Sequence, residues 1–267
     1  MKRRNSLYVW DTQVLYAAWE ETTTMHSLYS ASLCFSVDLP SKLFLSNESY
    51  IEYTGVFLPP NTNYYQVSKN THIINIYIDP DSFLFERFSG NIKDGVQFFD
   101  STKIPYLKKI LDVLLDEKSP NEEVLGCLKL LVDSVFGSLL KQKPPEELDP
   151  RIFTVAKYLR SQTYLPQPEE VKLKILADIV NLSEDRFRHI FKETLLTSVR
   201  KFILSLRLKI AARNYHTSAN FTEVAHLAGF SDSAHFSRTF RSAYGHSPSA
   251  VFRNPKRTRI CFINMES

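Results

Sequence analysis

Apolar residues follow two patterns along this chain, short alternating runs before about residue 80 and helical spacing after about residue 94. The early runs are rich in Tyr, Phe, Val and Ile, as in 50–58, and the last of them covers 72–78. Turn-forming segments separate the runs at 38–41, 46–49, 59–63 and 67–70. The pattern predicts five to seven short strands between about 12 and 79, which indicates a small antiparallel barrel or sandwich.

Helical spacing begins with two amphipathic stripes. The first consists of Leu107, Ile110, Leu111, Leu114 and Leu115. The second consists of Val124, Leu125, Leu128, Leu131, Val132, Val135, Phe136, Leu139 and Leu140. Because 117–121 interrupts the pattern, the stripes predict a helical hairpin within about 94–141. The second stripe is nearly two-sided, so the hairpin either covers an open face of the sheet or exposes an apolar seam to a second copy of the chain.

A polar, proline-bearing stretch separates two predicted domains. We place an effector-sensing or dimerisation domain at 1–143 and a linker at 144–148. Asp149 can then cap a helix that has Pro150 at its first position, which is a strong start signal. The second domain, 149–253, is predicted to be all-α, and 254–267 is a basic tail that is either disordered or in contact with phosphate. The predicted fold class is therefore α+β with two domains.

A helix, a tight turn and a second helix are predicted around Gly229. This glycine tolerates the positive φ of the turn, Ser231 can cap the next helix, and Asp232 suits its first turn. Phe236 and Phe240 lie four residues apart on one face of that helix and can anchor it in a core. These features predict a helix-turn-helix unit.

The same order of parts occurs 48 residues earlier, counted between the two capping serines. Asn181 replaces the turn glycine, because asparagine is the best substitute for glycine at positive φ, and Ser183 is the predicted cap. Phe187 and Phe191 correspond to the two core anchors. An apolar stripe over 199–214 predicts a linker helix between the two units.

With the phenylalanines inward, a step of 100° per residue turns small, polar and basic residues outward, as suits a helix laid against DNA. The base-reading candidates are Asp185, Arg188, His189, Ala234, Ser237 and Arg238. The phosphate candidates are Ser183, Lys192, Arg200, Ser231 and Arg241. If the linker helix holds both recognition helices on one side, they enter successive major grooves about 34 Å apart.

The second unit carries a recognisable series of motifs. Its segments are 224–232 (VAHLAGFSD), 236–241 (FSRTFR) and 245–248 (GHSP), followed by Arg253. On these motifs, residues 150–253 resemble the DNA-binding domain of the AraC/XylS family of bacterial transcription regulators. The first unit departs from the family pattern at Asn181 and Leu196, where glycines are common. The resemblance implies double-stranded DNA and RNA polymerase as partners.

The amino-terminal half resembles the small cupin-like ligand-sensing domains of the same family, on segment 58–62 and a strand that ends at 78–81. This implies a small-molecule effector. The candidate pocket residues are Trp10, Tyr16, Trp19, Phe35 and Tyr53, although aromatic residues in strands also form cores. Metal cupins use clustered His and Glu, whereas His26 and His72 are isolated, so we expect no metal and no cofactor.

Charge is distributed unevenly along the chain. Residues 1–147 carry 14 Lys/Arg and 19 Asp/Glu, a net charge of −5, and the remainder carries 19 and 10, a net charge of +9. A basic carboxyl-terminal domain favours an anionic partner. Three distant cysteines, Cys34, Cys127 and Cys261, indicate a reducing compartment, and no run of about 18 apolar residues occurs. We therefore expect a cytoplasmic protein without membrane contact, and the family resemblance implies that it is bacterial and nucleoid-associated.

The leading hypothesis is a sequence-specific DNA-binding transcription regulator controlled by a small-molecule effector, by dimerisation, or by both. One alternative is a regulator whose amino-terminal domain binds no ligand and serves only for assembly, with a homodimer formed through its helices. A remote alternative is a DNA-repair enzyme that uses the same DNA-binding module. That enzyme needs a cysteine-rich zinc site or a reactive Pro-Cys-His context, and none of the three cysteines supplies one. We therefore expect no enzymatic activity.

Overall fold

A computed structural model describes residues 4–46, 48–87, 89–92, 94–139, 148–162, 173–215, 220–252 and 258–263. The chain divides into two compact units. The sheet unit contains 1–146 together with 249–267, and the helical unit contains 147–248. The predicted two-domain α+β fold is confirmed. The predicted linker at 144–148 lies outside the described residues apart from Leu148.

The described part of the sheet unit contains ten strands. They are β1 (Asn5–Val9), β2 (Gln13–Thr22), β3 (His26–Ser27), β4 (Ala31–Ser36), β5 (Ser41–Phe44), β6 (Ile51–Tyr53), β7 (Gly55–Leu58), β8 (Asn63–Ile78), β9 (Gln97–Phe99) and β10 (Thr258–Phe262). The main path of the sheet runs β10-β1-β2-β8-β4-β7-β9, while β3 and β5 pair with β8 and β6 pairs with β5. Every pairing is antiparallel except that of β1 with β10.

The helices follow the predicted order. In the sheet unit they are α1 (Phe83–Arg87), α2 (Ser89–Ile92), a 3₁₀ turn (Ser101–Lys103), α3 (Leu107–Leu115) and α4 (Asn121–Ser134), which continues as a π-helical segment (Val135–Leu139). The next are α5 (Pro150–Ser161), α6 (Leu173–Ile179), α7 (Glu184–Leu195), α8 (Val199–Asn214), α9 (Phe221–Leu227), α10 (Ser233–Tyr244) and α11 (Pro248–Phe252). Strand β9 lies in the region that the sequence assigned to helices.

Strand β8 corrects one predicted turn. The sequence places a turn at 67–70, but the strand continues through it from Asn63 to Ile78. Asn70 adopts a positive φ of 55° inside the strand, opposite a register shift in β2 where Glu20 also has a φ of 55°. The backbone N–H of Asn70 donates to Glu20 Oε1 at 2.9 Å. The turn-forming residues therefore make a bulge, which bends the strand without ending it.

The helical hairpin packs on the sheet. All five apolar residues of the first stripe are buried in α3. The Tyr8 hydroxyl on β1 donates to the backbone carbonyl of Leu114 at 2.8 Å, and Phe57 on β7 meets Phe136 edge to face with ring centroids 5.8 Å apart. These contacts support the interpretation that the hairpin covers the sheet. Leu130 remains 59% exposed on α4, so the seam for a second copy stays a prediction.

The chain returns to the sheet unit after the helical unit. The sequence treats 254–267 as a basic tail, but Thr258–Phe262 forms strand β10, parallel to β1 and paired from Asn5↔Thr258 to Val9↔Phe262. Ladder hydrogen bonds and a β-prone run of residues stabilise this strand. The earlier part of the predicted tail, 254–257, lies outside the described residues.

Candidate nucleic-acid interface

The first helix-turn-helix unit consists of α6, a turn and α7. Asn181 adopts the predicted positive φ, 54°, in the turn. Ser183 is the N-cap of α7, and its side chain accepts a hydrogen bond from the backbone N–H of Arg186 at 3.3 Å. Phe187 and Phe191 are fully buried on the inner face of the helix. Turn, cap and core anchors therefore lie where the sequence predicts them.

The second unit consists of α9, a turn and α10, with Gly229 at a φ of 78°. The cap of α10 is Asp232 and not Ser231, which corrects the prediction. Asp232 Oδ1 accepts from the backbone N–H of His235 at 2.6 Å, while the Ser231 hydroxyl donates to Asp232 Oδ2 at 3.0 Å. Both residue types cap helices well, and the carboxylate adds a favourable interaction with the helix dipole.

Removing this cap should destabilise the helical unit in a pH-dependent way. The hydrogen bond from the His235 backbone N–H, followed by that from the Ser231 hydroxyl, lowers the pKa of Asp232 below 3.8. A carboxyl with a lowered pKa stabilises the fold above 3.8, and this contribution is lost as the pH falls through the lowered value. Asp232→Ala should therefore lower the thermal midpoint at neutral pH by more than Ser231→Ala. Asp232→Asn, which can still cap, should lose the part of the pH dependence between pH 5 and 2 that Asp232 contributes, while Asp149, whose pKa is also lowered, keeps its own part. An unchanged acid profile would contradict the assignment.

The outward face of α7 is exposed and polar. Asp185, Arg188, His189 and Lys192 are all exposed, as predicted. Arg188 Nη1 lies 2.9 Å from Asp185 Oδ1, and Arg188 Nη2 lies 3.5 Å from Glu184 Oε2. The helix thus holds the guanidinium in place before any partner arrives, and a base edge would have to replace these surface ion pairs, which are individually weak.

The outward face of α10 is smaller and less charged. Ala234, Arg238 and Arg241 are exposed, whereas Ser237 and His235 are partly buried. The His235 ring packs edge to face on Phe230 with centroids 5.3 Å apart, and His235 Nδ1 lies 3.3 Å from Ser231 Oγ. The packing of His235 agrees with its position off the outward face.

A cleft joins the two recognition helices. It has a volume of about 590 Å³. Its polar lining consists of Arg188 and Lys192 from α7, Ser198, Arg200 and Arg207 from the cap, first turn and middle of α8, and His235 alone from α10. Its apolar lining consists of Leu173, Val199, Ile203 and Leu204. Base-reading and phosphate candidates from separate elements therefore share one basic depression within the helical unit.

The turn between α7 and α8 contains a strained residue. Leu196 ends α7 in the left-handed conformation, with a φ of 54°, where the sequence departs from the usual glycine. Ser198 then caps α8 by accepting from the backbone N–H of Lys201 at 3.3 Å. The left-handed conformation costs a residue with a Cβ about 1–2 kcal/mol. The turn is therefore formed, but at a cost in stability.

Leu196→Gly should raise the free energy of unfolding of the helical unit by about 1 kcal/mol, because glycine adopts this φ without a Cβ clash. Leu196→Ala is the matched control, since it removes the same partly buried side chain but keeps the strain. Urea denaturation of both variants separates the loss of the leucine side chain from the relief of backbone strain. Equal stabilities for the glycine and alanine variants would contradict the strain argument.

The five candidate pocket residues divide between two faces of the sheet. Residues opposite each other in an antiparallel pair share a face. Tyr16 pairs with Asn75, which pairs with Cys34, and Tyr53 packs in the same cluster as Cys34. Phe35 pairs with Ile74, and Trp19 pairs with His72, on the other face. Trp10, fully buried after β1, packs near Tyr8 with ring centroids 6.2 Å apart.

A polar interior lies on the face that carries Tyr16 and Tyr53, and the sequence did not reveal it. Its members are Cys34, Tyr53, Tyr64, Gln66, Asn75 and Tyr77. Burial raises the pKa of the Cys34 thiol to about 12 and holds the pKa values of the three tyrosines well above 10. Gln66 Nε2 and Asn75 Oδ1 are buried without a hydrogen-bond partner among the described residues. The sequence signal that could have revealed this polar interior is the alternation of these residues along their strands.

Two further properties concern the described part of the chain. None of its helices combines the length and apolar character needed to cross a membrane. Nor do its His, Cys, Asp and Glu side chains form a group of three that could hold a metal ion.

Comparison with known proteins gives matches in sequence and in fold. Residues 176–254 match the helix-turn-helix domain family. The raffinose operon transcriptional regulatory protein RafR of Pediococcus pentosaceus is 29% identical over 132 residues, which is 48% of this chain and 47% of that protein. The transcriptional activator RhaS of Enterobacter sp. (strain 638) is 34% identical over 85 residues, 31% of this chain and 30% of that protein. The chain thus spans half or less of the length of these relatives.

Two solved structures of ToxT from Vibrio cholerae share the fold over most of the chain. A ligand-free variant has a TM-score of 0.62 at 13% identity, covering 90% of this chain and 96% of that one. The form bound to an unsaturated fatty acid has a TM-score of 0.57 at 15% identity, covering 94% and 96%. The likeness in fold therefore includes both units.

Proposed function

We propose that this chain is a sequence-specific DNA-binding transcription regulator of the AraC/XylS type, because residues 176–254 match the helix-turn-helix domain family and the relatives of this region are transcription regulators. The observation that carries the proposal is the basic cleft that Arg188 and Lys192 of α7 form with Arg200 of α8. One linker helix joins two recognition helices that have exposed polar faces. A single chain can therefore contact two segments of the DNA major groove.

The two recognition helices have different tasks in this proposal. In α7, Arg188 bonds a guanine edge, Asp185 accepts from a cytosine amino group, and His189 contacts a base or a phosphate. In α10, Arg238 is the base reader, while the small side chains of Ala234 and Ser237 favour contact with a thymine methyl group or readout of DNA shape. The first unit therefore carries most of the base specificity.

The remaining candidates contact the DNA backbone. Lys192 and Arg200 line the cleft between the recognition helices, where phosphates between two successive grooves would pass. Arg241 is exposed near the end of α10. Ser183 and Ser231 lie beside the starts of the two helices, where hydroxyls and backbone N–H groups meet phosphate oxygens.

The sheet unit is proposed to sense a small, uncharged, hydrogen-bonding molecule. Its polar interior consists of side chains that are neutral at physiological pH, and the Gln66 amide nitrogen and the Asn75 carbonyl oxygen have no hydrogen-bond partner among the described residues. A ligand with hydroxyl groups would satisfy both atoms, whereas the fatty acid bound by ToxT carries a carboxylate that needs a cation. The alternative, a sheet unit used only for assembly, is favoured by the exposed Leu130.

An isothermal titration of the full chain with neutral polyols and sugars separates the two roles. Binding by the wild-type chain that is lost in Asn75→Ala, with assembly unchanged, supports the sensor. Assembly that depends on Leu130, without any ligand binding, supports the scaffold. We also propose RNA polymerase and a second copy of the chain as partners. The proposed location is cytoplasmic and nucleoid-associated, and no enzymatic activity is proposed.

The central test is binding of the purified chain to its own upstream DNA at several salt concentrations. Each cation that neutralises a phosphate contributes about −0.9 to the slope of log affinity against log salt, so the three cationic phosphate candidates alone give about −3. Competition with unrelated DNA measures specificity. Affinity that does not change with salt, or that is equal for unrelated DNA, would overturn the proposal.

A further inference from the structure

The cleft in the helical unit has an apolar floor that the proposed phosphate contacts do not use. The floor consists of Leu173, Val199, Ile203 and Leu204, and Ile203 alone among these four is buried. Phosphates and sugars are bound by cations and hydrogen-bond donors, not by aliphatic side chains. The three partly buried side chains therefore keep apolar surface in contact with water inside a concave site, and a ligand with an apolar part would cover it.

The described lining of this cleft contains cations and no acidic residue. Lys192 on α7 and Arg200 in the first turn of α8 are exposed, and their side chains make no ion pair or hydrogen bond within the described part of the chain. Arg188 differs, because Asp185 and Glu184 already hold its guanidinium. The cleft therefore offers two cations that are available to an incoming anion.

Arg207 places a further positive charge below the protein surface. Its side chain lines the cleft, yet the residue is fully buried in the middle of α8. A phosphate of a DNA duplex stays at the surface of the protein, whereas a small anion can enter the cleft. Because the attraction between charges is stronger away from bulk water, this guanidinium favours an anion that has left the surface.

We propose that this cleft binds a small amphipathic carboxylate, with its apolar body on Val199 and Leu204 and its carboxylate group on Lys192 and Arg200. The volume of about 590 Å³ lies in the range of small-molecule sites, about 300–1,000 Å³. Because Lys192 and Arg200 are also the proposed phosphate contacts, the bound carboxylate excludes operator DNA. This competition rests on the proposed DNA-binding function, whereas the carboxylate site itself does not.

Calorimetric titration of the full chain without DNA tests the site. The probe is 4-phenylbutyrate, and its uncharged amide, 4-phenylbutyramide, is the matched control. The carboxylate should bind with a dissociation constant of about 1 mM or lower and at least about tenfold more tightly than the amide, because its oxygens accept charge-assisted hydrogen bonds. Equal affinities for acid and amide, or no binding of the carboxylate, overturn the proposal.

Four variants locate the bound carboxylate. Arg200→Ala should weaken binding at least about fivefold, whereas Lys157→Ala, which removes an exposed cation of α5 outside the cleft, should change nothing. Leu204→Ala should weaken binding about threefold through lost apolar contact. Asn75→Ala alters the polar interior of the sheet unit and should leave binding unchanged. Wild-type binding by a folded Arg200→Ala chain, or lost binding in Asn75→Ala, overturns the site.

Competition with operator DNA tests the regulatory part of the proposal. With 4-phenylbutyrate at ten times its dissociation constant, the apparent dissociation constant of the operator should rise about tenfold. The amide together with sodium acetate, which matches the ionic strength, should leave it unchanged. Operator affinity that the bound carboxylate does not change overturns the competition. Absence of salt-dependent, sequence-specific binding by the wild-type chain is a different result, because it overturns the DNA-binding function while the titration without DNA still decides the carboxylate site.

Discussion

Operator affinity should fall at least about 30-fold when Arg188 and Arg238 are both replaced by alanine. Each guanidinium that bonds a guanine edge contributes about 1–3 kcal/mol, and the two side chains lie on separate helices, so their losses add. Both residues are exposed, and no core contact is removed, so the variant should keep the thermal midpoint of the wild type. Gel-shift or anisotropy titrations at fixed salt measure the effect.

A charge-matched control distinguishes base reading from general attraction. Arg151 and Lys157 are exposed on α5, outside the two recognition helices, and replacing both with alanine removes the same net charge from the helical unit. This control should bind the operator within about threefold of the wild-type chain. An equal loss in both double variants would mean that the recognition helices read no bases. Arg188→Lys adds a second check, because it keeps the charge but not the bidentate geometry.

The largest stability effect is expected for Phe187→Ala, which should lower the free energy of unfolding of the helical unit by about 3–5 kcal/mol. Phe187 is fully buried and meets Phe191 edge to face at 5.6 Å, and Phe191 in turn meets Phe202 of the linker helix at 5.7 Å. This row of rings attaches α7 to α8. Its loss should therefore release the helix that carries most of the proposed base readers.

Chemical denaturation monitored by far-ultraviolet circular dichroism measures this change. Phe83→Ala is the control, because Phe83 is 75% exposed and its removal should cost less than about 0.5 kcal/mol. A Phe187→Ala chain that keeps wild-type stability would show that the aromatic row does not support the recognition helix. Loss of operator binding without loss of stability would instead give Phe187 a direct role in binding.

The recognition units could be predicted from the sequence because their signals are local. A turn residue that accepts positive φ, a cap and two phenylalanines one helical turn apart all lie within about 12 residues, and the structure has each of them in both units. The error of one residue at the cap of α10 arose because Ser231 and Asp232 are adjacent and both suit that position. Local patterns identify such a site but do not choose between neighbouring residues of similar chemistry.

The parts that escaped prediction depend on distant partners. Asn70 is a turn former by composition, but its neighbours remain in one strand because β2 carries a matching bulge at Glu20. Strand β10 could not be inferred because β1, its partner strand among the described residues, is about 250 residues away. The polar interior is equally non-local, since Cys34, Tyr53 and Asn75 come from three different strands. For the bulge, for strand β10 and for the polar interior, the sequence therefore lacked the same information, namely which strands pair and in which register.

The pairing of β1 with β10 also sets an order for folding during synthesis. The ribosome makes β1 long before β10, with the whole helical unit between them. During that interval the outer edge of β1 has unpaired backbone groups, the kind of edge on which strands of other chains add. The small helical domain has mostly local contacts and can fold in the meantime. The nascent chain would thus complete its helical unit before it closes the sheet of the unit that it began first.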